Sequence, residues 1–164
     1  MKVTTRLMLI ACLALPFLVA CQSGEEEQQV AVKAPLTAPA TNDDNAWGEY
    51  LSDVVTRNME GITSNPYLYY LPAEDSPDFE GSYERLKGEV DVAMQRGILE
   101  GNLVAFGSPA STKMADIIVF AFATVDPGSM KGVKLLFIGD SADSDRVQAA
   151  VTPAGVDYKF IEAK

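Results

Sequence analysis

No histidine occurs anywhere in the 164 residues. That absence excludes Ser-His-Asp and Cys-His catalysis, histidine-ligated zinc, and imidazole switching near neutral pH. Cysteine is almost as scarce. Cys12 and Cys21 are the only two, so residues 22–164 hold no thiol for a disulfide and must fold around a core alone. Basic side chains are also outnumbered, 13 Lys and Arg against 23 Asp and Glu, for a formal net charge of −10. Such a surface repels nucleic acid and anionic lipid headgroups and favours solubility, cations or basic partners, so no nucleic-acid partner is expected. A bilayer-spanning run is missing too. The apolar stretch Leu7 to Ala20 is too short for a permanent membrane helix and follows a basic start at Lys2 and Arg6, the build of a secretory signal. No internal repeat is found, and the length suits one domain of ordinary size.

At the end of that apolar run stands Leu18-Val19-Ala20-Cys21. The stretch resembles the lipobox of bacterial lipoproteins, in which Leu and small residues precede a Cys that is acylated on sulfur and becomes the first residue of the mature protein. All four positions match, and the resemblance covers residues 1–22 only. It implies a lipoprotein signal peptide over 1–20, which takes Cys12 away, and lipidation at Cys21, with the membrane contacted through that anchor. Loss of Lys2 and Arg6 leaves 11 basic against 23 acidic side chains, a net of −12. Gln22, a residue other than Asp after the Cys, implies the outer membrane, with the domain facing the periplasm. The globular part resembles no family of known function.

From Gln22 to Asn45 the chain mixes acidic, Pro, Thr and small residues without apolar periodicity, as in Glu25-Glu26-Glu27 and Ala34-Pro35-Leu36-Thr37-Ala38-Pro39. Such a composition does not bury enough surface to offset ordering, so residues 21–45 are expected to be the lipidated Cys and a flexible tether, with the globular domain over 46–164. Within the domain, Trp47, Leu51, Val54 and Val55 at helical spacing predict a helix over 46–60, with Gly61 near its end. Tyr67 to Leu71 predicts a strand stopped by Pro72. Its three tyrosines invite a carbohydrate-binding reading, against which aromatic strand residues are ordinarily just packed. Phe79, Tyr83, Leu86, Val90 and Met94 form one stripe of a second helix, with Ser76 expected as its N-cap, Pro77 at its first position and Gly97 closing it.

Asn102 to Phe106 reads as a buried strand. Ile117 to Ala123 is apolar on both alternations, yet a helix is expected over residues 111–125: Ser111 can cap it, about 15 residues is long for a strand, and a helix restores alternation with its neighbours. Val133 to Ile138 is the clearest strand, followed by a short helix over 143–151 and a half-exposed closing strand over 156–161, where Asp157 and Lys159 suggest an edge protected by charge. Strands joined by helices run parallel, which gives a small three-layer α/β domain: an open, mostly parallel four-stranded sheet with an extra N-terminal helix.

Ligands of open parallel sheets bind outside the carboxyl ends of the strands, at helix N-termini. Three loops meet there, offering Glu74 and Asp75, then Ser108, Ser111 and Thr112, then Asp140, Ser141 and Asp143. The middle loop bears hydroxyls but lacks the Gly-rich spacing of a phosphate cradle, and its other reading is a strand-to-helix turn with a Ser cap. The acidic loops suit a hard cation such as Ca²⁺ or Mg²⁺, yet the EF-hand pattern is missing, and acids in a first helical turn complement the helix dipole without any metal. No cofactor and no metal ligand set is assigned. The expectation is a membrane-anchored envelope lipoprotein serving as a non-catalytic binding or structural module for an envelope protein or cell-wall component. The alternative is a small tethered enzyme or ligand-binding domain using these loops.

Overall fold

The computed structural model describes residues 34–164, so the signal peptide, the lipobox with Cys21, and residues 22–33 lie outside the described residues. Ala34–Lys164 forms one compact unit. Its elements are helix α1 (Asp44–Thr56), strand β1 (Tyr67–Tyr70), helix α2 (Phe79–Arg96), strand β2 (Leu103–Gly107), helix α3 (Ser111–Phe122), strand β3 (Lys134–Gly139), helix α4 (Ser141–Val151) with a 3₁₀ turn over Thr152–Ala154, and strand β4 (Asp157–Glu162). The four strands are all parallel and stand in the order β1-β2-β3-β4. The domain is therefore α/β with an open parallel sheet, and residues 111–122 are helix despite the unbroken apolar run from Ile117 to Phe122.

Strand order decides how the layers fill. Each connection joins neighbouring strands, and crossovers of one hand all land on one face. Accordingly the inward residues of α2, α3 and α4 share a single core with Tyr69, Val104, Phe106, Leu135 and Phe137. The opposite face, Leu103, Ala105, Leu136 and Ile138, is left to α1, which contributes Trp47, Tyr50, Leu51, Val54 and Val55. Close approach is needed there. A Cβ added at Gly107 would lie 2.3 Å from Leu51 Cδ2, so any side chain there would have to displace the buried Leu51.

The packed unit also begins earlier than the expected start at 46. Leu36 and Ala38 pack against the α1-side core. Leu36 donates its N–H to Asp53 Oδ2 (3.0 Å), Ala38 donates its own to the Lys164 carbonyl (3.1 Å), and Trp47 Nε1 reaches the Thr41 carbonyl (3.1 Å). An otherwise polar, Pro-rich segment is held because its two apolar side chains extend the cover of the less protected face, and its backbone finds partners there.

Two expected caps are replaced. Ser76 does not cap α2: Asp78 takes a left-handed conformation (φ 60°, ψ 31°), which postpones the helix to Phe79, and the Ser76 carbonyl accepts from the Phe79 N–H instead. Aspartate is among the few residues that visit this region readily. Ser111 does not cap α3 either, since Ala110 holds the cap position with no side-chain bond and the Ser111 hydroxyl is engaged elsewhere. At the closing edge, Asp157, Lys159 and Glu162 are exposed along β4, while Tyr158 and Phe160 pack inward.

Candidate functional site

All four helices run against the strands, so their N-termini gather at the carboxyl end of the sheet. The acids there serve those termini. Asp43 Oδ1 accepts from the Ala46 N–H and Asp140 Oδ1 from the Ala142 N–H, both at 2.8 Å. Asp44 and Asp143 sit in the first turns of α1 and α4. Negative charge at these positions offsets the helix dipole and occupies free backbone donors. At the other end lysines meet the chain just past α1: Lys134 Nζ donates to the carbonyls of Asn58 (3.1 Å) and Glu60 (2.9 Å), and Lys159 Nζ donates to Asn58 Oδ1 (2.8 Å).

Of the expected loop residues, the fold brings Ser111, Thr112, Asp140 and Asp143 together. The Ser111 hydroxyl donates to Asp143 Oδ2 (2.8 Å) and accepts from the Asp140 N–H (2.8 Å), while Thr112 Oγ1 donates to the same carboxylate oxygen (3.2 Å). Asp143 is only 5% exposed. Two further members were not anticipated. Arg146 donates through Nε to Asp143 Oδ1 (3.0 Å), through Nη1 to Asp116 Oδ1 (2.6 Å) and through Nη2 to the Thr112 carbonyl (2.7 Å). Burial works against the Arg146 charge, but the bonds to Asp116 and Asp143 outweigh it and its pKa is raised. Helical spacing held the signal: Arg146 lies three residues after Asp143, and Asp116 four after Thr112.

The remaining expected residues stand apart from this network. Ser108, 1% exposed, donates to the Leu71 carbonyl (2.7 Å) and accepts from the Ala110 N–H (2.8 Å), which ties the β2–α3 turn to the end of β1. Asp75 accepts from Asn42 Nδ2 (2.9 Å), and Glu74 and Ser141 are exposed. Among the described residues no three His, Cys, Asp or Glu side chains are grouped to hold a metal ion, and no buried side-chain nitrogen or oxygen lacks a partner. The tyrosines of β1 form no shared platform. Tyr69 stacks on Phe106 (ring centroids 5.2 Å apart) inside the three-helix core. Tyr70 points to the α1 side, where its hydroxyl donates to Asp44 Oδ1 (2.6 Å), and burial followed by this carboxylate raises its pKa.

Chemically, the network holds rather than reacts. A nucleophilic Ser111 would need a free base to take its proton and an open path to substrate. The one carboxylate it touches already neutralises Arg146 and accepts from Thr112. A cleft of about 250 Å³ lies beside it, lined by Asn42, Trp47, Ser108, Ser111, Gly139 and Asp140. A larger groove of about 720 Å³ opens at the opposite end of the sheet, between the ends of α2 and α3, lined by Met94, Arg96, Ile98, Leu99, Val125 and Asp126. The strand order explains the modest cleft. A sheet that runs β1 to β4 without reversal has no switch point at which adjacent loops diverge to open a crevice. No protein-family model, no curated protein and no solved structure matches the chain.

Proposed function

We propose that this chain is a bacterial envelope lipoprotein, acylated at Cys21 and held on the outer membrane facing the periplasm, whose α/β domain acts as a non-catalytic binding or structural module. The observation that carries the anchor is Leu18-Val19-Ala20-Cys21 at the end of a short apolar run behind Lys2 and Arg6. Support for a non-catalytic domain comes from the lack of histidine and from the mutual satisfaction of Ser111, Thr112, Asp143 and Arg146. No helix among the described residues is long and apolar enough to cross a membrane, so this reading needs the lipid for attachment. One acyl chain holds only marginally, and lipoprotein maturation places several on one residue. With the packed unit beginning at Ala34, residues 22–33 can separate it from Cys21 by at most about 40 Å of fully extended chain.

A second reading, a small tethered enzyme or ligand-binding domain, draws on the cleft beside Ser111 and Asp140. It ranks below the first because Ser111, Thr112 and Asp143, the groups that the fold brings closest together, are already committed to one another and to Arg146. The decisive variant for the anchor is Cys21→Ser in the full precursor. The expected outcome is an unprocessed, unlipidated protein that leaves the outer-membrane fraction, whereas a processed Cys21→Ser chain still retained on membranes would refute Cys21 as the anchor.

A further inference from the structure

The two edges of the sheet are treated differently. β4 carries exposed Asp157, Lys159 and Glu162, and the segment before α1 reaches its far end through the Ala38–Lys164 backbone bond. β1 has no such protection. Among the described residues it pairs only with β2, and residues 61–73, which contain it, include no charged side chain. Alternate backbone N–H and C=O groups along its outer side are a template for another strand. Tyr67 is 46% exposed and its neighbour Leu68 37% exposed. Adjacent strand residues point to opposite faces of a sheet, so no partner lying on one face covers both. A strand added to the edge does.

We propose that β1 is a self-association edge, at which two copies of this chain pair β1 to β1, antiparallel, and join their sheets across a two-fold axis. Charge favours a second copy in this orientation. The acidic Glu74 and Asp75 after β1 then lie beside the partner's uncharged stretch before β1, so an acidic protein meets itself without opposing like charges along the seam. Symmetry favours closure. Head-to-tail growth would require β1 to pair with β4, whose charged edge opposes it, whereas a two-fold β1–β1 contact uses up the open edge of both copies. Pro66 and Pro72 bracket β1 and confine pairing to the residues between them. An edge this short places the contact at the small, transient end of interface sizes, so it calls for covalent trapping.

The test is independent of lipidation. The photo-crosslinking residue p-benzoylphenylalanine replaces Tyr67 in the full chain, or Asp157 on β4 as control, and cells producing either form are irradiated. The expected result is a two-chain adduct from position 67, with chain-to-chain peptides identified by mass spectrometry, and little from position 157. Leu68→Lys, which sets like charges across the seam, should lower that adduct by about tenfold without moving the thermal midpoint. Equal yields from positions 67 and 157, no adduct at 67, or adducts to other proteins alone would overturn the proposal. The comparison of positions 67 and 157 stands without Leu68→Lys should that variant fold poorly.

Discussion

The two ends of the sheet meet helix termini with side chains of opposite sign. At the carboxyl end, Asp43 and Asp140 accept from N–H groups of helix starts while Asp44 and Asp143 stand in the first turns; at the amino end, Lys134 meets carbonyls just past α1. Read as a list of residues, the carboxyl end has the look of a site, with acids and hydroxyls crowded where parallel sheets bind ligands. Read as a set of hydrogen bonds, it is a fastening between α3 and α4, and the larger opening lies at the other end. The difference teaches that polar residues at strand ends signal function only when something about them is left over. Here the geometry leaves little over.

The sharpest way to break the comparison is to open the carboxyl-end fastening. Asp143→Ala removes the acceptor shared by Ser111, Thr112 and Arg146, and should lower unfolding free energy by about 2–3 kcal/mol, below the cost at a fully buried pair because Arg146 keeps solvent contact. Urea denaturation measures it, and a loss under about 0.5 kcal/mol would mean the network is incidental. Lys134→Met keeps the apolar stem but removes the ammonium from the carbonyls of Asn58 and Glu60. It should cost about 1 kcal/mol in the same assay, the smaller value marking the amino end as the lighter tie.

The gentlest probe is alkaline pH. Burial is the leading cause that raises the pKa of Tyr50, Tyr69, Tyr70, Tyr83 and Tyr158 above 10.0. The fold therefore prefers the neutral phenols. Their contribution is fully present below the unfolded value near pH 10 and is lost as pH rises beyond it toward the folded values. Stability should decline through that window while the phenolate absorbance of the folded protein lags behind that of the unfolded chain. Coincident phenolate titrations would contradict the burial these side chains show.

Much of the fold was legible in the sequence. Helix over strand at Ser111–Phe122 followed from length and alternation, although the cap expected of Ser111 did not form, and the charge on Asp157 and Lys159 marked β4 as an edge. The order of the strands was not legible, because nothing local to a parallel strand names its neighbours. That order is what sends three helices to one face and leaves α1, Leu36 and Ala38 to cover the other. Leu36 sits in a Pro-rich stretch whose composition reads as tether, and only its long-range partner Asp53 shows otherwise. The same limit applied to the candidate site. Ser111 has the right position for a cap, but its hydroxyl finds Asp143 and the Asp140 N–H, both distant in sequence, and a local reading sees neither.

The functional account rests on Cys21, and the most direct measurement is the mass of the N-terminal peptide released from membrane-bound protein. The account predicts a chain that begins at Cys21 and carries the added mass of acyl groups on that residue. A chain that begins elsewhere, or begins at an unmodified Cys21, would contradict it.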